Sequence, residues 1–83
     1  MKKVIIYSKD PCPCCVKAKF LLQRKKVEFS EIKVNSDSIR EEMIVKSGGR
    51  MTVPQIFIDG VHVGGCDDLY ALEEKGELDG MLK

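Results

Sequence analysis

The sequence lacks an excess of charge of either sign. Fourteen lysine and arginine residues are set against thirteen aspartate and glutamate residues, so the 83-residue chain carries a net charge of +1. Without a strong overall field, the chain does not attract nucleic acid or an anionic membrane surface over long distances. We therefore expect neither nucleic acid nor a membrane among its partners.

Long hydrophobic runs are also missing. The first apolar run, 4–6, ends at the polar stretch around Ser8 and is too short for the core of a secretion signal. No later run approaches the roughly 18 apolar residues that a membrane span requires, and there are no internal repeats or low-complexity segments. With neither a secretion signal nor a membrane span, we expect a cytoplasmic protein. We expect residues 1–83 to form one domain, because 43% hydrophobic content is enough for a compact core.

Histidine is scarce, since His62 is the only one. It belongs to a predicted hairpin strand far along the chain from most of the cysteines, and a thiol at a helix start needs no histidine base to become reactive. We therefore favour a structural role for His62 over a catalytic cysteine-histidine pair.

Cysteine, in contrast, is concentrated: Cys12, Cys14 and Cys15 fall within four residues, and Cys66 is the fourth. Such crowding cannot staple distant segments together, so a reactive or metal-binding site explains it better than a disulfide framework. Two cysteines separated by two residues beside a strand-helix-strand pattern predict a redox pair. The same spacing also holds zinc, iron-sulfur clusters or copper, so a metal carrier that uses Cys12, Cys14 and Cys15 remains an alternative.

The residues around the cysteines predict a strand, a loop and a helix. Residues 3–7 are almost continuously apolar, as in a central strand buried on both faces. Pro13 suits the first turn of a helix, where its missing N–H costs nothing, and this places Cys12 at the N-cap. The helical spacing of apolar residues predicts that the helix continues to about Lys25, with Cys15 facing inward and Cys12 facing outward. Unpaired N–H groups at a helix start stabilise a thiolate, so we expect Cys12 to attack and Cys15 to resolve.

The rest of the chain continues an α/β pattern. Residues 27–34 predict a second strand parallel to the first, and a second helix is predicted to begin at 35–37 and to end at 48–49. Residues 55–58 and 61–63 predict a hairpin with an Asp-Gly turn. A third helix is predicted to begin within 64–68, and 78–82 predict a last helical turn. The Cys12 loop then lies at the carboxyl end of the first strand, where open α/β sheets bind ligands.

Two further loops have features of binding sites. Pro54 opens a strand, and a cis Val53–Pro54 bond would leave the preceding backbone free to pair with an extended ligand. The start of the third helix offers backbone N–H groups to an anion. The acidic pair there, Asp67 and Asp68, is by itself more often a helix cap than a ligand site.

Three separated motifs therefore converge. They are Cys12-Pro13-Cys14-Cys15 after Tyr7-Ser8-Lys9, Thr52-Val53-Pro54-Gln55-Ile56-Phe57-Ile58, and Gly64-Gly65-Cys66-Asp67-Asp68-Leu69. Together they closely resemble the dithiol glutaredoxins, and the small bacterial ones in particular, over essentially the whole chain. The resemblance implies a thioredoxin-like α/β fold, with a central four-stranded mixed sheet flanked by three or more helices. It also implies a glutathione-dependent thiol-disulfide oxidoreductase that reduces protein disulfides and glutathione mixed disulfides.

The resemblance implies roles for individual residues. Cys12 is the expected nucleophile, and Cys15 is expected to resolve the protein-bound intermediate. The expected glutathione contacts are Lys9, Cys14, Thr52, Val53, Pro54, Cys66, Asp67 and Asp68. Among them, Lys9 should lie near the reacting sulfur and the glycine carboxylate, and the Val53 backbone should pair with the cysteinyl part. The N–H groups around Cys66, Asp67 and Asp68 should hold the γ-glutamyl carboxylate, with Asp68 receiving the ammonium group.

Cys14 is the main departure from the family, because it stands where these proteins usually carry tyrosine. A disulfide between Cys14 and the adjacent Cys15 would be strained. A third thiol beside Cys12 can also compete as a resolving group or become glutathionylated, but we favour the interpretation that Cys14 is a tolerated small residue. For Cys66 we expect the backbone, and not the sulfur, to contribute to the site.

The expected co-substrate is glutathione, and no metal is expected. Oxidised or glutathionylated proteins are the expected partners, with ribonucleotide reductase as one candidate, and the protein is expected to be a monomer. A copper chaperone has no need of Thr52-Val53-Pro54, which argues against the metal carrier. A protein recycled by thioredoxin reductase is a third hypothesis, but the glutathione-type motif from Gly64 to Asp68 argues against it.

Overall fold

A computed structural model describes residues 2–83, which form four strands and four helices. In chain order these are β1 (Val4–Ser8), α1 (Pro13–Arg24), β2 (Phe29–Lys33), α2 (Asp37–Lys46), β3 (Gln55–Ile58), β4 (Val61–Gly64), α3 (Cys66–Glu74) and α4 (Leu78–Leu82). Within residues 2–83, no helix has the length and apolar character needed to span a bilayer.

The four strands form one mixed sheet in the order β2-β1-β3-β4. The central strand β1 pairs in parallel with β2 and antiparallel with β3, so that Tyr7 lies between Ile32 and Gln55. β4 completes the hairpin with β3 in an antiparallel pair. The predicted four-stranded mixed sheet, including the parallel crossover from β1 to β2, is confirmed.

Helix α1 begins where the sequence predicts. Cys12 is the N-cap in extended conformation, and Pro13 occupies the first turn. The buried face carries Cys15 at 1% exposure and continues through Ala18, Leu21 and Leu22. Ala18 and the two leucines belong to the main core, whose other members come from β1, β3, α3 and α4, with Val27 from the loop before β2. Packing therefore holds α1 in one rotation, with Cys15 inward and Cys12 partly exposed.

The element boundaries differ slightly from those predicted for the strands. β1 extends to Ser8 because the N–H of Val34 donates to the Ser8 carbonyl at 2.8 Å and continues the ladder. β2 is shorter than 27–34 because the N–H of Val27 donates to Leu22 and closes the end of α1, after Lys26 in a left-handed conformation. Asp59 and Gly60 are also left-handed, as a two-residue hairpin turn requires. The Val53–Pro54 bond is cis, as predicted.

A polar cluster closes the carboxyl end of β1. The hydroxyl of buried Ser8 donates to the Glu31 carboxylate, which also lies 2.8 Å from Lys19 Nζ and 3.2 Å from Lys33 Nζ. Lys19 contributes most, with help from Ser8 and Lys33, to lowering the pKa of Glu31 to about 2. The cluster ties β1, α1 and β2 together below the Cys12 loop.

Replacing Glu31 with glutamine is expected to reduce the decrease in the free energy of unfolding as the pH falls. The folded pKa of about 2 lies below the usual 4.5, so the carboxylate stabilises the fold fully above pH 4.5 and progressively less as the pH falls towards 2. Urea unfolding between neutral pH and about pH 2.5 should show a shallower decline for Glu31→Gln than for the unmodified protein. Glu28→Gln, at an exposed position before β2, is the matched control; equal slopes for Glu31→Gln and the unmodified protein would contradict the prediction.

Candidate active site

Cys12 lies where the loop after β1 enters α1. Its Sγ accepts a hydrogen bond from the backbone N–H of Cys15 at 3.2 Å, which is the side-chain cap of the helix. An N–H donor at the positive end of a helix favours a negatively charged acceptor. Because Cys12 is partly exposed, its sulfur can be reached by a disulfide from outside.

Cys15 has the opposite environment. Its side chain is buried, and burial, together with the hydrogen bond to Cys12, raises the pKa of Cys15 to about 12. The backbone N–H of Lys9 partly opposes this rise. All four thiols are free. The arrangement therefore provides one partly exposed sulfur and, one helical turn further on, a buried thiol whose raised pKa favours its protonated form.

A small cavity of about 140 Å³ lies beside the start of α1. It is formed by three separate segments of the chain, and its lining residues are Cys14, Arg50, Thr52, Val53, Pro54, Gly65, Cys66, Asp67 and Asp68. The fold thus brings together seven of the eight residues that the sequence predicts as glutathione contacts, the exception being Lys9.

Lys9 lines an adjoining groove of about 610 Å³ instead. Thr52 and Val53 belong to both the groove and the cavity, and Arg40 adds a second cation to the groove. An extended ligand that lies across Val53 therefore contacts the acidic start of α3 at one end and Lys9 and Arg40 at the other.

Asp68 is held in place by two contacts. Its Oδ2 accepts a hydrogen bond from the N–H of Gly65 at 2.9 Å and lies 3.5 Å from Arg50 Nη2. The first contact caps α3, as the sequence predicts for a carboxylate at a helix start. Gly64 is required here because its φ is +124° and a Cβ would collide with the Asp68 side chain.

Arg50 is the site residue that the sequence reasoning did not identify. It lies in the loop before β3, two residues before Thr52, and is half-exposed at the cavity. The sequence feature that could have indicated Arg50 is a positively charged residue between a glycine pair and the Thr-Val-Pro motif. Its pairing with Asp68 depends on the fold, since the two residues belong to different segments.

A hydrogen-bonded chain through the buried Gln55 supports the cavity from behind. Nε2 of the fully buried Gln55 donates to the carbonyl of Thr52 at 2.9 Å and to its hydroxyl at 3.3 Å. Oε1 of Gln55 lies 2.7 Å from His62 Nε2. Burial, assisted by the positive charge of Arg50, lowers the pKa of His62. His62 is thus bonded to Gln55, and not to a cysteine.

Cys14 and Cys66 lie on the cavity wall in different environments. Cys14 is exposed, whereas Cys66 is buried as the first residue of α3. Burial raises the pKa of the Cys66 thiol, and the neighbouring Cys14 thiol adds to the rise. Across residues 2–83, no three or more His, Cys, Asp or Glu side chains are grouped so that they could hold a metal ion. A further depression of about 480 Å³, at the amino end of β1, has no thiol in its lining.

Alkylation should separate the four thiols into two classes. In the native reduced protein near neutral pH, iodoacetamide is expected to modify Cys12 and Cys14 and to spare Cys15 and Cys66, because the last two are buried and have raised pKa values. Fragment-ion mass spectrometry locates each label, and unfolding in guanidinium should make all four reactive. Native labelling of Cys15 at the same rate as Cys12 would show that the proposed difference between them is wrong.

The chain is similar in sequence and structure to proteins named as glutaredoxins. A model of the Glutaredoxin family matches residues 4–63. Glutaredoxin 3 of Escherichia coli strain K12 is 52% identical over 83 residues, which is 100% of both chains. The solution structure of glutaredoxin from Brucella melitensis is 57% identical with a TM-score of 0.88, covering 100% of this chain and 90% of that one. The crystal structure of a buckwheat glutaredoxin-glutathione complex is 29% identical with a TM-score of 0.89, covering 98% of this chain and 76% of that one.

Proposed function

Because the chain belongs to the glutaredoxin family, it is a glutathione-dependent thiol-disulfide oxidoreductase, and we propose that Cys12 and Cys15 are the two thiols that react. The observation that supports this assignment is the contrast between them. Cys12 is a partly exposed helix cap two residues before Cys14 of the cavity wall. Cys15 is buried one turn later, and its backbone N–H donates a hydrogen bond to the Cys12 sulfur.

With a glutathione mixed disulfide, the Cys12 thiolate attacks the glutathione sulfur. The Cys12-glutathione disulfide forms, the original disulfide breaks, and the released thiolate takes up a proton. A second glutathione, as its thiolate, then attacks the glutathione sulfur on Cys12. Glutathione disulfide leaves and the Cys12 thiolate is restored. This route uses one protein thiol.

With a protein disulfide, both thiols take part. Attack by Cys12 forms a mixed disulfide with the substrate and releases the substrate's first thiolate. Cys15 loses its proton and attacks the Cys12 sulfur, which forms the Cys12–Cys15 disulfide and releases the substrate's second thiolate. Two glutathione molecules then reduce the pair and become glutathione disulfide. The chemistry requires thiols alone.

Glutathione is proposed to lie along the cavity and the adjoining groove. The N–H groups at the start of α3, around Cys66 and Asp67, would hold the γ-glutamyl carboxylate, and Asp68 would receive the ammonium group. Val53 would pair through its backbone with the cysteinyl part, flanked by Thr52, Pro54 and Cys14. Lys9 would receive the glycine carboxylate. The support is that the lining residues of the two depressions overlap at Thr52 and Val53.

The physiological setting is part of the proposal. Residues 1–83 would act as one monomeric cytoplasmic domain on oxidised or glutathionylated proteins, ribonucleotide reductase being one candidate. The near balance of charge, which gives no general attraction to nucleic acid or membranes, is consistent with recognition of substrates through the site itself.

Serine substitutions should separate the roles of the three clustered thiols. Cys12→Ser should abolish both activities, and Cys15→Ser should retain reduction of glutathione mixed disulfides while losing reduction of protein disulfides. Cys14→Ser should retain both, because we interpret Cys14 as a tolerated small residue at the edge of the site. The measurement is NADPH oxidation coupled through glutathione reductase, with each class of substrate. Absence of turnover by the unmodified protein with glutathione would overturn the assignment.

Asp68→Asn should lower kcat/KM for a glutathione mixed disulfide by about tenfold, mainly through KM. The asparagine oxygen can still cap α3, but the attraction to the ammonium group is lost, and a hydrogen bond to a charged group contributes about 1.5–3 kcal/mol. A cysteinylglycine mixed disulfide, which lacks the γ-glutamyl group, distinguishes binding from damage to the fold. Asp79→Asn in α4 is the control variant. Equal losses with both substrates would contradict a role for Asp68 in binding the ammonium group.

A further inference from the structure

The outer face of α1 carries apolar side chains directly beyond the nucleophile. Val16 is 60% exposed and Phe20 is 57% exposed. They are four residues apart, which places them one above the other on the helix surface. The exposed Pro13 begins the same face beside Cys12. We call Pro13, Val16 and Phe20 the apolar stripe.

Core packing does not explain the apolar stripe. The inward face of α1 is already filled by the buried side chains Cys15, Ala18, Leu21 and Leu22. Exposed apolar residues that occur singly need no explanation, and the other large ones, Val45, Met51 and Val61, each lie on a different segment. Only in the apolar stripe do two of these exposed residues share a helix face, and that face starts at the reacting sulfur.

The charges around the apolar stripe all have one sign on this helix. α1 contains Lys17, Lys19 and Arg24 and no acidic residue. Lys19 is paired with Glu31 at 2.8 Å. Lys17 Nζ instead lies 5.5 Å from the centre of the Tyr70 ring, and Tyr70 donates its hydroxyl hydrogen to the Lys17 carbonyl at 2.9 Å. The exposed Lys17 and Arg24 therefore provide positive charge beside the apolar side chains.

We propose that the apolar stripe is the docking surface for the oxidised protein substrate, which presents an apolar side chain flanked by acidic residues near its disulfide. The inference rests on the proposed function, since Cys12 must be the attacking thiol. Phe20 follows Cys12 by eight residues, or about 12 Å along the helix. An extended strand covers that distance in about four residues. The partner's apolar residue therefore lies about four positions from its reactive cysteine.

Glutathione and a second copy of the chain do not fit the apolar stripe as well. Neither Val16 nor Phe20 lines the cavity or the groove to which glutathione is assigned. A symmetric dimer through this face would bring Lys17 and Arg24 of two copies close together. Stable dimers also bury about 800 Å² on each partner, which is more than two side chains supply.

The test compares a peptide disulfide with a small substrate. The peptide carries an apolar residue four positions from its cysteine and acidic neighbours, and the small substrate is the mixed disulfide of glutathione and cysteine. The double variant Val16→Ser with Phe20→Ser should lose about tenfold in kcat/KM for the peptide. In the unmodified protein, docking buries the exposed part of both apolar side chains, which is about half of each, and the variant loses that burial. It should stay within twofold of the unmodified protein with the small substrate. Val45→Ser with Val61→Ser is the matched control and should leave both rates unchanged.

A charge reversal provides an independent second variant. Lys17→Glu should slow reduction of the acidic peptide and accelerate reduction of the same peptide with lysines in place of its acidic residues. An unchanged ratio between the two peptides, or equal losses by the Val16-Phe20 variant on peptide and small substrate, would overturn the docking proposal. The docking proposal would also be overturned if sedimentation showed that the unmodified protein is a dimer and the Val16-Phe20 variant is a monomer. Failure of the unmodified protein with the small substrate would instead reject the proposed function.

Discussion

The structure depends on where α1 is allowed to begin. Pro13 has no N–H to donate, so it occupies the first turn, and Cys12 must supply the cap through its sulfur. The same few residues must also close the loop that leaves the central strand β1. Packing of Ala18, Leu21 and Leu22 against the sheet then fixes the rotation of the helix. Chain connectivity and core packing together place one sulfur at the surface and another inside.

In the proposed mechanism, this placement divides two requirements of the reaction between two cysteine side chains. The attacking thiol has to be reachable and has to be favoured as a thiolate, whereas the resolving thiol has to wait until an intermediate has formed. Burial achieves the second condition, because it keeps the proton on Cys15. The cavity next to them is assembled from the loop before β3 and the start of α3, which meet because β3 pairs antiparallel with β4, and it adjoins the loop after β1 because β3 also pairs with β1.

Local rules predicted much of this arrangement from the sequence. Helical spacing and Pro13 were enough to place Cys12 at the cap and Cys15 in the core, and the Asp59-Gly60 turn was enough for the hairpin. The pairing of Arg50 with Asp68 was not predicted, because it joins two loops that meet only across the folded β3-β4 hairpin. The bonding of Gln55 was not predicted either: its partners are near in the chain, but an alternating strand pattern does not say which polar side chain is buried. The boundary of β2 was wrong for a local reason: the end of α1 takes the N–H of Val27 after Lys26 turns left-handed.

The buried Gln55 has a consequence for the entropy cost of binding a ligand. A loop between a helix and a strand ordinarily has to be immobilised when something binds, and that ordering subtracts from affinity. Here the carbonyl and the hydroxyl of Thr52 are already tied through Gln55 to His62 on the neighbouring strand. The segment proposed to bind glutathione is therefore anchored to the sheet, and little conformational entropy is left to lose when the ligand binds.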